Sequence, residues 1–200
     1  MVTRARKPAL PAVLATAVAL LACAQARSES SAHLLLGQKH TSEDGFLVPE
    51  TGTNFGALLS FAGADWPIHV AVDLLDMSAD GGSRFGPDVE LDTLEVAVGV
   101  RKFWKVGPAR TYVGGGIAMI RATYEERRDE RFSDPVRNAE SDAYGPWACG
   151  GVAWRLGRHF DLGFDVRWEI AGTDFEEIYE TPANIDVGGF SYGLTFGYAW

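Results

Sequence analysis

Seven charged residues lie inside segments that otherwise alternate between apolar and small side chains: Asp73, Glu95, Arg101, Arg155, Asp165, Arg167 and Glu169. Four of them, Asp73, Arg101, Arg155 and Asp165, are expected at similar depth, with Arg155 and Asp165 on neighbouring strands across a short turn. Charges in a medium of low polarity must be paired or hydrated. The set predicts either a salt-bridged plug or an ion path. We favour the plug, because a narrow interior has room for side chains and little else.

Histidines are the residues that most often carry acid–base catalysis, and the chain has four. His33 and His159 are expected at the end with short turns, His69 on an inner face, and His40 at the opposite end of its segment. None has a serine or aspartate partner at a spacing typical of a dyad or triad. No catalytic residue is therefore predicted, although His40 keeps an enzymatic alternative open.

A stretch near the C-terminus is rich in carboxylates, which are ligands for divalent cations. It contains Asp174, Glu176, Glu177, Glu180 and Asp186. The ordered Asp-x-Asp-x-Asp-Gly spacing of a calcium loop is missing. The sequence therefore predicts no metal site and no cofactor.

The elements that must position these residues are strands, because side chains alternate with period two. Eight strand-like segments are predicted, at residues 33–41, 54–62, 68–77, 89–105, 110–124, 144–156, 160–170 and 190–200. Short connections at 63–67, 106–109 and 157–159 alternate with long polar ones at 42–53, 78–88, 125–142 and 171–187. This alternation is typical of bacterial barrels with tight periplasmic turns and long surface loops. We predict an all-β, eight-stranded antiparallel up-and-down transmembrane β-barrel over residues 27–200, with both termini periplasmic.

The last segment shows the pattern most clearly. Its large residues share one face, and Ser, Gly, Thr, Gly and Ala share the other. A strand between lipid and a cramped interior needs this arrangement. A soluble exported barrel with its aromatic residues inside, binding an apolar ligand, is the structural alternative. The unbroken apolar face and the alternation of connection lengths argue against it.

The first 26 residues are typical of a cleaved signal peptide. Arg4, Arg6 and Lys7 precede an apolar stretch at 12–21, which is too short to span a bilayer, and Ala-x-Ala cleavage sites follow. The sequence LLAC at 20–23 also resembles a lipobox, which would leave a lipidated Cys23 at the N-terminus.

The charge and the cysteine content of the chain bear on its possible partners and on disulfide formation. The chain has 18 Lys and Arg against 27 Asp and Glu, a net charge of −9. Loss of the three cationic residues of the leader makes this −12. Such a balance argues against nucleic acid as a partner. If cleavage removes Cys23, Cys149 is the remaining cysteine and no internal disulfide can form.

Three stretches carry a resemblance to a known family: Gly99-Val100-Arg101, the sequence YVGGG at 112–116 after a Gly-Pro turn, and the aromatic C-terminus. The chain resembles the small outer-membrane β-barrels to which the transmembrane domain of outer membrane protein A and outer membrane protein X belong. In that family the last strand resembles the signal read by the barrel insertion machinery. The corresponding residues here are Phe190, Tyr192, Leu194, Phe196, Tyr198 and Trp200, and Trp200 replaces the commoner Phe.

The resemblance implies a place in the outer membrane of a Gram-negative bacterium. The expected partners are outer-membrane lipid, lipopolysaccharide and, during assembly, the insertion machinery; a monomer is expected. Proteins that share a fold differ in function because their functional sites differ, so the resemblance defines the function of this protein less well than its fold. We expect a non-enzymatic envelope scaffold or surface-interaction protein acting through long extracellular loops. The alternatives are a lipid-modifying enzyme, for example through His40, and a narrow channel for small solutes or ions.

Overall fold

The computed structural model describes residues 30–41, 51–63, 66–82, 88–127, 137–175 and 183–200. The predicted signal peptide over residues 1–26 lies outside these ranges. Within them, no helix is long and apolar enough to cross a membrane.

Eight antiparallel strands close into a barrel, as predicted. They are β1 (Ser31–Thr41), β2 (Thr51–Phe61), β3 (His69–Gly82), β4 (Asp88–Val106), β5 (Ala109–Arg127), β6 (Arg137–Leu156), β7 (Phe160–Glu169) and β10 (Gly189–Ala199). Each pairs with its neighbours along the chain, and β10 returns to pair with β1. A separate hairpin of β8 (Gly172–Phe175) and β9 (Ala183–Asp186) interrupts the connection from β7 to β10. Closure leaves no unpaired sheet edge in the barrel.

The large residues of β10 point outward, as the alternation predicts. Leu194 is 64% exposed, whereas the neighbouring Thr195 is 3% exposed. The same rule places Val98 of β4 and Phe164 of β7 on the outer surface. The barrel therefore carries an apolar outer belt around an interior of small and polar side chains, which is the arrangement of a barrel in hydrocarbon. The alternative of a soluble barrel with inward aromatic residues is wrong for this strand.

The outward face of β3–β6 changes character along the strands. One row of paired residues is apolar throughout: Leu74, Val96, Met119 and Tyr144. The next row, one step farther from the short turns, consists of Asp76, Leu94, Arg121 and Asp142. We call the part of β3–β6 beyond the apolar row the extension. Apart from Leu94, its described outward side chains are polar, so the apolar belt ends between these two rows.

Two of the predicted long connections are wrong, because much of each is strand. Residues 78–82 continue β3, and β4 begins at Asp88. Likewise β5 runs to Arg127 and β6 begins at Arg137. The alternation persists there, with Met77, Ala79 and Leu91 buried and polar side chains facing outward. Strict alternation of loop length is therefore not a property of this barrel; long strands take the place of long loops.

Two of the short turns depend on glycine. Gly107, between β4 and β5, has φ 61°, and Gly157, between β6 and β7, has φ 74°. Residues with a Cβ atom rarely adopt this left-handed region. These turns fix the register of β4–β5 and β6–β7, and with it the set of side chains that point inward.

Candidate functional site: the ion-pair cluster of the barrel interior

The strand register connects several of the interior cations. Arg101, Cys149, Arg167 and Lys39 belong to one row of paired residues that runs around the barrel. The paired residue between Arg101 and Cys149 is Gly114, where a Cβ atom would come within 2.7 Å of Arg101 Cγ. A glycine at this position leaves room for the guanidinium groups to cross the lumen.

Arg167 is the centre of the cluster. Its guanidinium donates hydrogen bonds to Asp73, to Glu95 (2.7 Å) and to Glu169 (3.4 Å). The side chain is 1% exposed. The bonds to Asp73 on β3 and Glu95 on β4 cross the lumen, because neither strand is paired with β7 in the sheet.

Two further cations bind the same carboxylates. Lys39 Nζ lies 2.6 Å from Glu169 Oε2 and 3.6 Å from Glu95 Oε2. Arg101 Nη2 lies 2.5 Å from Asp73 Oδ2, and its Nη1 donates to Ser60 at 3.2 Å. Pairing and hydrogen bonding of this kind offset part of the cost of burying these ions.

Aromatic side chains fill the remaining space around the cations. The Trp147 ring centroid lies 4.5 Å from Arg167 Cζ and 5.8 Å from Arg101 Cζ. Tyr112 donates its hydroxyl hydrogen to Asp165, which is 1% exposed. We call Lys39, Asp73, Glu95, Arg101, Asp165, Arg167, Glu169, Tyr112 and Trp147 the lumen cluster. It occupies the lumen at mid-height with packed, paired side chains.

Arg155 lies apart from the lumen cluster, so the prediction that it shares the depth of Asp165 is wrong. The register pairs Arg155 with Asp161. Asp165 pairs instead with Gly151, which lies four residues farther from the turn between β6 and β7. Arg155 donates two hydrogen bonds to the Asp161 carboxylate, and His33 Nε2 lies 3.6 Å from the same group. These three residues form a second, smaller group at the short-turn end.

Sequence analysis missed three members of the lumen cluster: Lys39, Tyr112 and Trp147. Each falls at an inward position once the outward residues of its strand are fixed; Leu34 and Leu36, for example, place Lys39 inside. Odd or even position along each strand was therefore sufficient to predict that these three side chains point inward.

An apolar cluster lies above the charges, inside the extension. It consists of Met77, Ala79, Val89, Leu91, Ile120, Ala122, Tyr124, Ala139, Ala143, Ala171 and Val187, all buried. Ala171 and Val187 come from the connection between β7 and β10, where the Val187 amide donates to the Ala171 carbonyl at 2.9 Å. The lumen is thus closed twice, first by paired charges and then by apolar packing.

The outward face of the extension is acidic. The described side chains there include seven carboxylates, Asp76, Asp80, Glu90, Asp92, Glu125, Glu140 and Asp142, and one cation, Arg121. Arg121 donates to Asp142 at 2.8 Å and 3.2 Å. This hydrogen bond lowers the pKa of Asp142 below its usual value, so that carboxylate stays charged.

The structure adds little support for a catalytic site at His40 or for a metal site in the acidic stretch. His40 is exposed, with Nδ1 2.9 Å from Thr51 Oγ1 and its ring stacked on Tyr192 at 5.8 Å. Most of the acidic stretch, including Asp174, Glu176, Glu177 and Glu180, lies outside the side chains that the structure describes. Among those it does describe, no group of three or more His, Cys, Asp or Glu residues is placed to hold a metal ion.

Comparisons with known proteins support the fold. No protein-family model and no curated protein matches the sequence. Neisserial surface protein A is 14% identical over 87% of this chain and 96% of its own, with a TM-score of 0.54. Ail of Yersinia pestis is 11% identical over 86% and 98%, with a TM-score of 0.55. A major outer membrane protein of Thermus thermophilus is 10% identical over 86% and 99%, with a TM-score of 0.59. The chain has the fold of the small eight-stranded outer-membrane β-barrels.

Proposed function

We propose that this protein is a non-enzymatic outer-membrane barrel that displays the acidic extension as a contact surface outside the cell. The lumen cluster is the observation that carries this proposal. A lumen filled by paired charges and an apolar cluster leaves little space for water, which disfavours a solute channel. The barrel then acts as a scaffold held by outer-membrane lipid and lipopolysaccharide.

The extension suits this role better than mobile loops would. Its inner face packs in the apolar cluster, so its outer face is a rigid sheet with fixed charges. A preorganised surface binds with a smaller loss of conformational entropy. The carboxylates favour a cationic partner, or lipopolysaccharide bridged by divalent cations.

A structural neighbour provides an informative contrast. Ail of Yersinia pestis, the attachment invasion locus protein, has been solved with the heparin analogue sucrose octasulfate, and this chain matches that structure with a TM-score of 0.53 at 14% identity. A polysulfated ligand would be repelled by the acidic extension. We therefore propose a surface role for this chain with the opposite charge preference.

Planar-bilayer recording tests the closed lumen. The purified protein should give no steady conductance, because the lumen cluster leaves no ion path. Large, selective and reproducible channels would refute the proposed scaffold role and favour the channel alternative.

Cysteine labelling tests the orientation, since Cys149 is buried and adds little background. Glu140→Cys in the extension should react with a membrane-impermeant maleimide on intact cells. Arg158→Cys in the turn between β6 and β7 should react after the outer membrane is permeabilised. The reverse pattern would contradict periplasmic termini. Recovery of the protein outside the outer-membrane fraction would contradict its proposed location.

The contact between His40 and Thr51 favours a second candidate, a lipid-modifying enzyme. An imidazole within hydrogen-bond distance of a hydroxyl is half of a nucleophilic site. The test is incubation of the protein, and of a His40→Ala variant, with lipopolysaccharide and phospholipid, followed by mass spectrometry. We expect unchanged lipid with both; modification by the parent protein alone would establish the enzyme.

A further inference from the structure

A cavity of about 540 Å³ opens at the short-turn end of the barrel. Its polar lining includes Lys105, Arg110, Arg155, Arg158 and His159, and Trp200 lies at its edge. We call this space the basal cavity. Its volume lies within the range of about 300–1,000 Å³ that is typical of small-molecule sites.

The strand register gathers these cations at one place. Lys105 and Arg110 are paired across the turn between β4 and β5, and both occupy inward positions of their strands. The Arg155 amide donates to the Pro108 carbonyl at 3.3 Å, which joins this turn to β6. Arg158 follows in the next turn. Three strands and two turns therefore direct four cationic side chains toward one cavity.

The local charge contrasts with that of the whole chain. The cavity is lined by four Lys and Arg residues in a protein with a net charge of −9. Asp161 is the buried carboxylate beside it, and Arg155 binds that carboxylate with two hydrogen bonds. Arg155 also donates to the Arg158 carbonyl at 3.2 Å. These bonds hold the wall in place.

The basal cavity is a blind pocket. Phe103 and Tyr112 form the next inward row, with ring centroids 5.2 Å apart, and the His69 ring meets Phe103 at 4.7 Å. The Arg110 guanidinium stacks on Phe103, with Cζ 4.9 Å from the ring centroid. Stacking uses the face of a guanidinium, while its N–H donors lie in the plane. The charged residues of the lumen cluster lie above this aromatic layer, so an anion entering the cavity stops here.

From this geometry we propose that the basal cavity binds a phosphate-bearing anion from the compartment at the short-turn end. Arginine presents several N–H donors in a geometry that matches phosphate oxygens, and lysine adds a point charge. The aromatic floor excludes deeper entry. This proposal is independent of the surface role, because it depends on the opposite end of the barrel.

Inorganic pyrophosphate is the probe, titrated by calorimetry into the protein in uncharged detergent micelles at low salt. The test variant is Arg110→Gln/Arg158→Gln. The matched control is Lys102→Gln, which removes an exposed cation at the same end whose Nζ lies 5.4 Å from the Trp104 ring and not in the cavity. The double variant should bind at least about tenfold more weakly. The control should bind like the parent.

Three results would overturn the proposal: no pyrophosphate binding by the parent, undiminished binding by the double variant, or equal weakening by Lys102→Gln. Unchanged heat-dependent migration in detergent gels verifies that each variant is folded. Retention of labelled phosphatidylglycerol by the parent, lost in the double variant and on adding pyrophosphate, would identify the phosphate as a lipid headgroup. Pyrophosphate binding without lipid retention would identify a soluble anion. Either result supports the site.

Discussion

Replacing Arg167 with methionine should destabilise the barrel by about 3–5 kcal/mol, the usual cost of removing one partner from a buried ion pair. Methionine retains much of the side-chain volume, so a cavity adds little. The loss should lie toward the lower end of the range, because Lys39 remains 2.6 Å from Glu169 and Arg101 remains 2.5 Å from Asp73. Glu95 is left with Lys39 at 3.6 Å as its cation.

The measurement is reversible urea unfolding in phosphocholine vesicles, followed by tryptophan fluorescence. Arg121→Met is the matched control, because it removes an arginine from an ion pair on the exposed face of the extension; it should cause only a small loss, well below that of Arg167→Met. Adding Glu95→Gln to Arg167→Met should recover at least about 1 kcal/mol, since it neutralises the carboxylate that lost its partner. Either an Arg167→Met variant as stable as the parent or a deeper loss in the double variant would contradict a stabilising role of Arg167 in the lumen cluster.

Other regions give separate predictions. Leu194→Arg in the apolar belt should cost about 2–4 kcal/mol in the same vesicle assay, and a neutral effect would show that this face does not meet hydrocarbon. Gly107→Ala should cost about 1–2 kcal/mol because of its positive φ, and it should exceed the effect of Gly150→Ala. The lowered pKa of Asp142 predicts a small stabilisation that is present above its ordinary value of 3.8 and is lost as pH falls through the lowered pKa. A parent and an Asp142→Asn variant should therefore converge in stability at low pH; a constant difference would contradict the assignment.

The alternation of side chains was sufficient to predict the barrel and its outward face. In β10 and β7, large apolar residues occupy every second position, so neither strand can be shifted by one residue without burying the wrong face. The strand ends were less predictable. Asp80-Gly81-Gly82 has the composition of a turn, but the structure places it at the end of β3. These residues are strand because they pair with β4, and the local sequence pattern does not show which residues pair.

The partners within the lumen cluster could not be predicted in the same way. Period two tells which side chains point inward, but contact across a lumen depends on register and on the reach of long side chains. Arg167 meets Asp73 from a strand on another part of the barrel wall. Arg155 is inward as predicted, yet the register of β6 and β7 gives it Asp161 as a partner rather than Asp165.

The distribution of polar and apolar side chains between the two faces of β3–β6 inverts along the strands. This inversion explains why the strand ends in the extension were predicted as loops, and why the lumen is filled. Within the belt, the outer face is apolar and the inner face carries charges; in the extension, the inner face is apolar and the outer face carries carboxylates. In the belt, the outer face meets hydrocarbon and the inner charges pair with one another. In the extension, the carboxylates of the outer face meet water and the apolar side chains pack inside. Because the residues of the extension are polar in composition, the sequence alone assigns much of the extension to loops. Because the apolar cluster needs all four strands, the extension must fold as a continuation of the barrel, and its charged face is held as firmly as the strands beneath it.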